Sequence, residues 1–153
     1  MSSESSHPEL GGTLVTCSPG VLVGSETTGS RESGVLAAQL AVLRFTASSE
    51  DALQRGIEEW LSANYPGLFE REARLSAANR PDFFSPTTGV LIEVKWSPTG
   101  GSLTKVVSQL ARYAEDPRVR EILFCSPSRR VVSQVPDVLC EVPVVGVVLH
   151  TGL

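Results

Sequence analysis

The chain has 153 residues, of which 41% are hydrophobic and 20% are charged, and its formal net charge is −4. That length and balance are typical of one folded domain and exclude a disordered chain. No apolar run approaches the roughly 20 residues that are needed to cross a bilayer. The first residues, MSSESS, lack the basic and apolar regions of a secretory signal. We therefore expect a cytoplasmic protein with no membrane partner.

Two residue types that carry much enzyme chemistry are scarce. The chain has two histidines, both near its ends, and three cysteines without a CxxC pair. This argues against a zinc site and against a mechanism built on a histidine base. The charges are uneven, because residues 55–130 hold eleven basic and nine acidic groups, a local charge of +2. The sequence thus permits a nucleic-acid partner, although its acidic total does not predict one.

We divide the chain into an N-terminal extension, residues 1–48, and a domain, residues 49–153. The extension starts with a polar stretch, 1–12, that is typical of a flexible end, and its apolar stretches predict short strands or a helix. Glycine and serine predict a loop over 24–34. The segment 35–45 is ambiguous: its Ala and Leu residues suit a helix, whereas residues 41–46 would also suit a strand, and the periodicity does not decide between them.

The domain has a clearer pattern of elements. Ser48 or Ser49 is expected to cap a helix whose apolar residues share one face, and alternating residues around a turn predict strands. The predicted elements are a helix from about residue 50 to Pro66-Gly67, strands at 68–75, 82–84 and 90–96, a helix from Ser102 to before Pro117, and strands at 121–125 and 142–149. This order predicts an α/β protein.

The predicted hairpin brings polar side chains together. With its turn centred midway between the two strands, Phe84 faces Leu91 and Asp82 faces Glu93, with Cβ atoms about 5 Å apart. Side chains alternate along a strand, so Glu93 and Lys95 share one face. Asp82, Glu93 and Lys95 are therefore expected to converge on one patch.

Two facing carboxylates repel each other unless a cation lies between them. Mg²⁺, with Mn²⁺ as a substitute, is typically held by one or two carboxylates, here Asp82 and Glu93, and the Val94 carbonyl would add an oxygen. Lys95 would orient or help to deprotonate an attacking water and stabilise negative charge. This chemistry suits hydrolysis of a phosphodiester.

The same residues carry a family resemblance. Arg80-Pro81-Asp82, followed after ten residues by Glu93-Val94-Lys95, resembles the PD-(D/E)XK nuclease superfamily. The resemblance covers residues 50–125 and implies a restriction-endonuclease-like αβββαβ core, with a mixed central sheet flanked by helices. Gln109 and Tyr113 form a QxxxY pattern that resembles the RecB-type branch, in which the pattern lies near the catalytic site.

The superfamily often has an acidic residue on its first helix, which suggests Glu58 or Glu59 as a further catalytic residue. We favour Glu58, because Glu59 points almost directly away from the apolar face.

The resemblance implies a Mg²⁺-dependent nuclease that hydrolyses DNA. The alternative is a catalytically silent relative that binds nucleic acid or serves as a scaffold in a phage or secretion particle. A homodimer or a larger complex through residues 1–48 is a further open interpretation. The sequence leaves open DNA or RNA, single or double strands, and endo- or exonucleolytic cleavage.

Overall fold

The computed structural model describes residues 29–96 and 102–152. Its helices are α1 (Gly29–Val42), α2 (Glu50–Asn64), α3 (Ser102–Ala114) and α4 (Arg129–Gln134). Its strands are β1 (Arg44–Thr46), β2 (Glu70–Arg71), β3 (Phe83–Phe84), β4 (Val90–Val94), β5 (Glu121–Ser126), β6 (Val138–Leu139), β7 (Val142–Val148) and β8 (His150–Gly152). From α2 to β5 the elements follow the predicted order of helix, three strands, helix and strand.

The central sheet is mixed, in the order β2-β3-β4-β5-β7-β6. The pairs β2–β3, β3–β4 and β6–β7 are antiparallel, whereas β4–β5 and β5–β7 are parallel. Parallel neighbours need long crossovers, and α3 lies in the first of these and α4 in the second. A separate parallel pair joins β1 to β8. The predicted α/β class and mixed, helix-flanked sheet are confirmed.

The first helix of the domain, α2, lies where its caps and apolar face predicted it. The Ser49 hydroxyl accepts a hydrogen bond from the Ala52 N–H at 3.2 Å, which identifies the N-cap. Leu53, Ile57 and Leu61 are buried along one face of the helix. The helix ends just before the predicted Pro-Gly stop, because proline removes a backbone donor and clashes with the preceding turn.

The hairpin of β3 and β4 has the predicted register, with Phe84 opposite Leu91. Its turn depends on Gly89, which has a φ of +75° and whose N–H donates to the Ser85 carbonyl at 2.8 Å. A Cβ on Gly89 would lie 2.8 Å from the Arg118 carbonyl oxygen. Both the backbone angle and the close approach therefore require glycine here.

Strand β4 is buried on both faces. Ile92 and Val94 belong to the hydrophobic cluster that includes Ile57 of α2. Leu91 belongs to the cluster on the other face, with Leu110 of α3. A strand between two helical layers normally carries only apolar residues, so the Glu93 side chain on β4 is exceptional.

The described part of the N-terminal extension packs into the same core. Leu36 and Leu40 of α1 are buried in the hydrophobic cluster that also contains residues of α2 and β4, α1 packs mainly against β7 and β5, and β1 pairs with β8. The predicted loop over 24–34 is wrong from Gly29 onward, because α1 begins there despite the low helix propensity of glycine, and the helix buries Leu36 and Leu40 farther along. The strand that residues 41–46 would also suit is present only after α1 ends, as β1. The short strands expected before residue 24 lie outside the described residues.

Three short elements, α4, β6 and β8, were not predicted, and the strand expected at 68–75 is reduced to β2. The turn between β6 and β7 contains Cys140 and Glu141 at positive φ, 48° and 67°. Positive φ is uncommon for cysteine and glutamate. The turn lacks the Gly or Asn that would have indicated it in the sequence. None of the helices within 29–96 and 102–152 is long and apolar enough to span a membrane.

Candidate active site

Two hydrogen bonds, each from a backbone N–H to a side-chain carboxylate, connect the segments that carry Asp82 and Glu93. The Asp82 backbone N–H donates to Glu93 Oε2 at 3.2 Å, and the Val94 N–H donates to Asp82 Oδ2 at 2.7 Å. Strand β3 begins one residue after Asp82, so these carboxylates replace the carbonyl partners of a regular ladder. The predicted encounter of the two acids is thus present, and it is held by side chain to backbone hydrogen bonds.

Lys95 completes the predicted trio. Its Nζ lies 3.1 Å from Glu93 Oε1 and 3.8 Å from Glu50 Oε1. Its backbone N–H donates to the Cys125 carbonyl of β5 at 2.9 Å, which holds the end of β4 against the neighbouring strand. Asp82, Glu93 and Lys95 therefore lie together at the carboxyl end of β4.

Helix α2 adds two residues that the sequence interpretation missed. Glu50 Oε2 accepts a hydrogen bond from the Trp96 N–H at 3.0 Å, and Gln54 Nε2 donates to Asp82 Oδ1 at 3.0 Å. Glu50, Gln54 and Glu58 recur every fourth residue, so they share one side of the helix. This polar row beside the buried apolar face was the available signal.

Glu58 does not contact either carboxylate of the trio. It pairs with Arg71 at 2.5 Å, and Arg71 in turn donates to Gln54 Oε1 at 3.1 Å. Glu58 thus reaches Asp82 only through two intervening side chains, while Glu59 is exposed. The acidic residue of α2 that lies beside the trio is Glu50.

The QxxxY pair lies on α3 as predicted. Gln109 Nε2 donates to the Tyr113 hydroxyl at 2.9 Å, and Tyr113 is 1% exposed. Burial raises the pKa of Tyr113, and the charges of Glu93 and Asp82 raise it further. The hydroxyl therefore stays protonated, close enough to the two acids to sense their charges.

The two carboxylates resist ionisation together. Burial, and next the charge of Asp82, raise the pKa of Glu93 to about 7. Burial raises the pKa of Asp82 to about 6, although the hydrogen bond from Val94 N–H acts to lower it. Burial acts to lower the pKa of Lys95, but the charge of Glu93 and its hydrogen bond, with the charges of Glu50 and Asp82, raise it overall. A cation between the acids would remove their mutual repulsion.

The donor set fits a cation that needs few protein ligands. Among the described residues, no group of three or more His, Cys, Asp or Glu side chains is placed to hold a metal. Asp82 and Glu93 nevertheless offer about four lone-pair sites each, and the hydrogen bonds above use only part of them. The backbone of Val94 lies directly against Asp82. Mg²⁺, which keeps several waters and takes one or two carboxylates, suits this set.

A cavity of about 850 Å³ lies elsewhere, and its lining comes from α1, from Tyr65, Leu68 and Phe69, and from Thr87, Thr88 and Val90. None of the trio lines it. Its lining is mostly apolar and holds no cluster of acids, so the chemistry of the carboxylates assigns the candidate active site, and the cavity does not.

Comparison of the chain with protein-family models, with curated proteins and with solved structures gives no match. Membership of the PD-(D/E)XK superfamily therefore stays a prediction that rests on the residues themselves.

Proposed function

We propose that the protein is a Mg²⁺-dependent nuclease of the restriction-endonuclease-like kind that hydrolyses phosphodiester bonds, with DNA as its expected substrate. One observation carries the proposal. The buried Glu93 carboxylate accepts the Asp82 N–H at 3.2 Å and lies 3.1 Å from Lys95 Nζ. Glu93 lies on a strand that is buried on both faces, and its contacts with Asp82 and Lys95 bring together the two carboxylates and the positive charge that binding of a metal and a phosphate would use.

Each residue of the trio has a separate role. Asp82, Glu93 and the Val94 carbonyl are the proposed ligands of Mg²⁺. When bound, Mg²⁺ supplies Lewis-acid stabilisation of the charge that develops on the phosphate. The Lys95 ammonium orients the attacking water and adds a second positive charge at the same phosphate.

The pair on α3 supports the same assignment. The Tyr113 hydroxyl accepts its hydrogen bond from Gln109, so its own proton is left for an acceptor at the acidic cluster or on the substrate. Because this hydroxyl stays protonated, it acts as a hydrogen-bond donor to an oxyanion. The hydrogen bond from Gln109 fixes the orientation of the Tyr113 hydroxyl.

Cleavage assays test the proposal directly. The purified chain is incubated with supercoiled plasmid, with labelled single-stranded DNA and with labelled RNA, each with Mg²⁺, Mn²⁺ or EDTA. We expect metal-dependent cleavage that is lost in Lys95→Ala and kept in Lys105→Ala, whose lysine is exposed on α3. No cleavage of any substrate, together with no thermal stabilisation by Mg²⁺, would instead favour the catalytically silent scaffold.

A further inference from the structure

Four polar side chains form a continuous row from α2 to the candidate metal ligand. Glu58 pairs with Arg71 Nη1 at 2.5 Å, Arg71 Nη2 donates to Gln54 Oε1 at 3.1 Å, and Gln54 Nε2 donates to Asp82 Oδ1 at 3.0 Å. The first and third members lie on α2, Arg71 lies on β2, and Asp82 directly precedes β3. The row therefore joins α2 and β2 to the carboxylate that directly precedes β3.

The chemistry of these groups gives the row a direction. A glutamine amide can rotate to present either its oxygen or its nitrogen, but a guanidinium only donates hydrogen bonds. Arg71 therefore holds the oxygen of Gln54 and leaves the amide nitrogen for Asp82. In the rotated amide, an oxygen would face a carboxylate oxygen and both hydrogen bonds would be lost.

Arg71 is itself held from more than one side. Its guanidinium carbon lies 5.6 Å from the centre of the Phe83 ring, within the range of a cation–π contact, and Arg71 pairs with Phe83 in the β2–β3 register. Glu58 binds one nitrogen of the fork and Gln54 another. Only arginine has enough donors in this planar arrangement to satisfy both partners at once.

We propose that Gln54 and Arg71 are positioning residues that orient Asp82 for metal binding, and that Glu58 acts by holding Arg71. Asp82 Oδ1 is held by Gln54 and Oδ2 by the Val94 N–H, so rotation of the carboxylate is stopped at both oxygens. The lone pairs left over then point in one fixed direction. This inference rests on the proposed function, and it assigns Glu58 a role outside the metal ligands.

The test measures metal affinity apart from catalysis. Thermal melts over a range of Mg²⁺ concentrations give the half-saturating concentration for the wild type, Gln54→Met, Arg71→Lys and Glu58→Gln. Glu59→Gln is the matched control, since Glu59 is the adjacent but exposed acid of α2. Cleavage over the same Mg²⁺ range gives a second readout. Thermal melts without metal show whether each variant folds. If Gln54→Met does not fold, Arg71→Lys provides the test in its place.

We expect Gln54→Met to raise the half-saturating Mg²⁺ concentration about tenfold, a size typical of residues that orient metal ligands. Arg71→Lys and Glu58→Gln should give smaller rises in that order, Glu59→Gln none, and cleavage at saturating Mg²⁺ should largely recover. Wild-type half-saturation in Gln54→Met, with metal binding lost in Asp82→Asn, would overturn the positioning role and leave the nuclease standing. A wild type that neither binds Mg²⁺ nor cleaves would overturn both.

Discussion

The backbone N–H of Asp82 lies 3.2 Å from Oε2 of Glu93, so one proposed metal ligand is hydrogen-bonded to the main chain of the other. The buried Glu93 carboxylate thus obtains a donor that a regular ladder would have given to a carbonyl. Because the donor is a backbone N–H, a substitution of the Asp82 side chain other than to proline leaves this donor in place. Asp82 and Glu93 are therefore open to separate mutational tests.

The first prediction concerns pH. The pKa of Glu93 in the folded protein, about 7, and that of Asp82, about 6, both exceed their ordinary values. Ionisation therefore opposes folding. In the metal-free protein, the stability that depends on these two groups should be fully present below about pH 4, fall as the pH rises from there to about 7, and change little above about 8. For Glu93 the loss is on the order of 3 kcal/mol, from roughly 1.4 kcal/mol per pKa unit.

Urea unfolding in EDTA at pH 5 and pH 8 measures most of this loss. Glu93→Gln, which does not ionise, should show a smaller difference between the two pH values than the wild type. Equal differences in the two proteins would contradict the prediction.

The second prediction concerns the cation. At pH 8 and a Mg²⁺ concentration of about 100 times its Kd, binding to the folded state adds about 2.7 kcal/mol of stability, or roughly 5–10 °C in Tm for a domain of this size. Calorimetry of the wild type with and without Mg²⁺ measures the shift. Asp82→Asn should remove most of it, and an unchanged shift in that variant would place the cation elsewhere.

The third prediction concerns Lys95. Replacing it with Met removes the ammonium 3.1 Å from Glu93 Oε1, and we expect cleavage to fall about 10²–10³-fold, as when one charge-stabilising donor is lost. Single-turnover rates at saturating Mg²⁺ isolate this effect from metal affinity. The exposed Lys105→Met serves as the comparison. A Lys95→Met protein that cleaves at the wild-type rate would remove the lysine from the mechanism.

The fourth prediction concerns the buried phenol. Tyr113→Phe removes one hydroxyl and leaves Gln109 Nε2 without its partner, so stability should fall by about 1 kcal/mol and cleavage by about tenfold. Tyr65→Phe is a matched change, because the Tyr65 hydroxyl is also hydrogen-bonded to a glutamine, although as the donor to Gln39 Oε1 and at an exposed site. Equal cleavage by the two variants would count against a role for Tyr113.

The fifth prediction concerns the hairpin turn. Gly89 and Gly67 both have positive φ, +75° and +72°, but only Gly89 has backbone where a Cβ would lie. Alanine at either position should destabilise the protein by about 1–2 kcal/mol, and Gly89→Ala should lose more than Gly67→Ala. Urea unfolding compares them. If the two losses are equal, the Arg118 carbonyl moves aside without penalty.

The hairpin was predictable because its signals are local. A turn and two alternating runs set the register, and that register brought Asp82 to Glu93 without knowledge of the rest of the fold. The partners on α2 were not predictable in this way. Gln54 and Asp82 are separated by 28 residues, and Glu50 and Trp96 by 46. A row at every fourth residue shows which side chains share a helix face, but not what that face contacts.

The fold divides along the same line. α2 and α3 were predicted from caps and apolar faces, whereas α1 begins within a Gly/Ser stretch and packs against β5 and β7, far along the chain. The pairing of β1 with β8 joins residue 44 to residue 150, and no local pattern indicates such a partner. The turn before β7 lacks the residues that usually mark one.

The position of α2 has a consequence for how the protein should fail on heating. Glu50 contacts the end of β4 and Gln54 contacts Asp82 just before β3, and these two helix residues lie about 6 Å apart along the axis. The helix thus contacts both chain segments at the open end of the hairpin. A substitution that weakens the packing under this helix, such as Ile57→Ala, would lengthen both contacts together. We expect this variant to lose the proposed Mg²⁺ binding at a temperature some degrees below that at which the sheet unfolds.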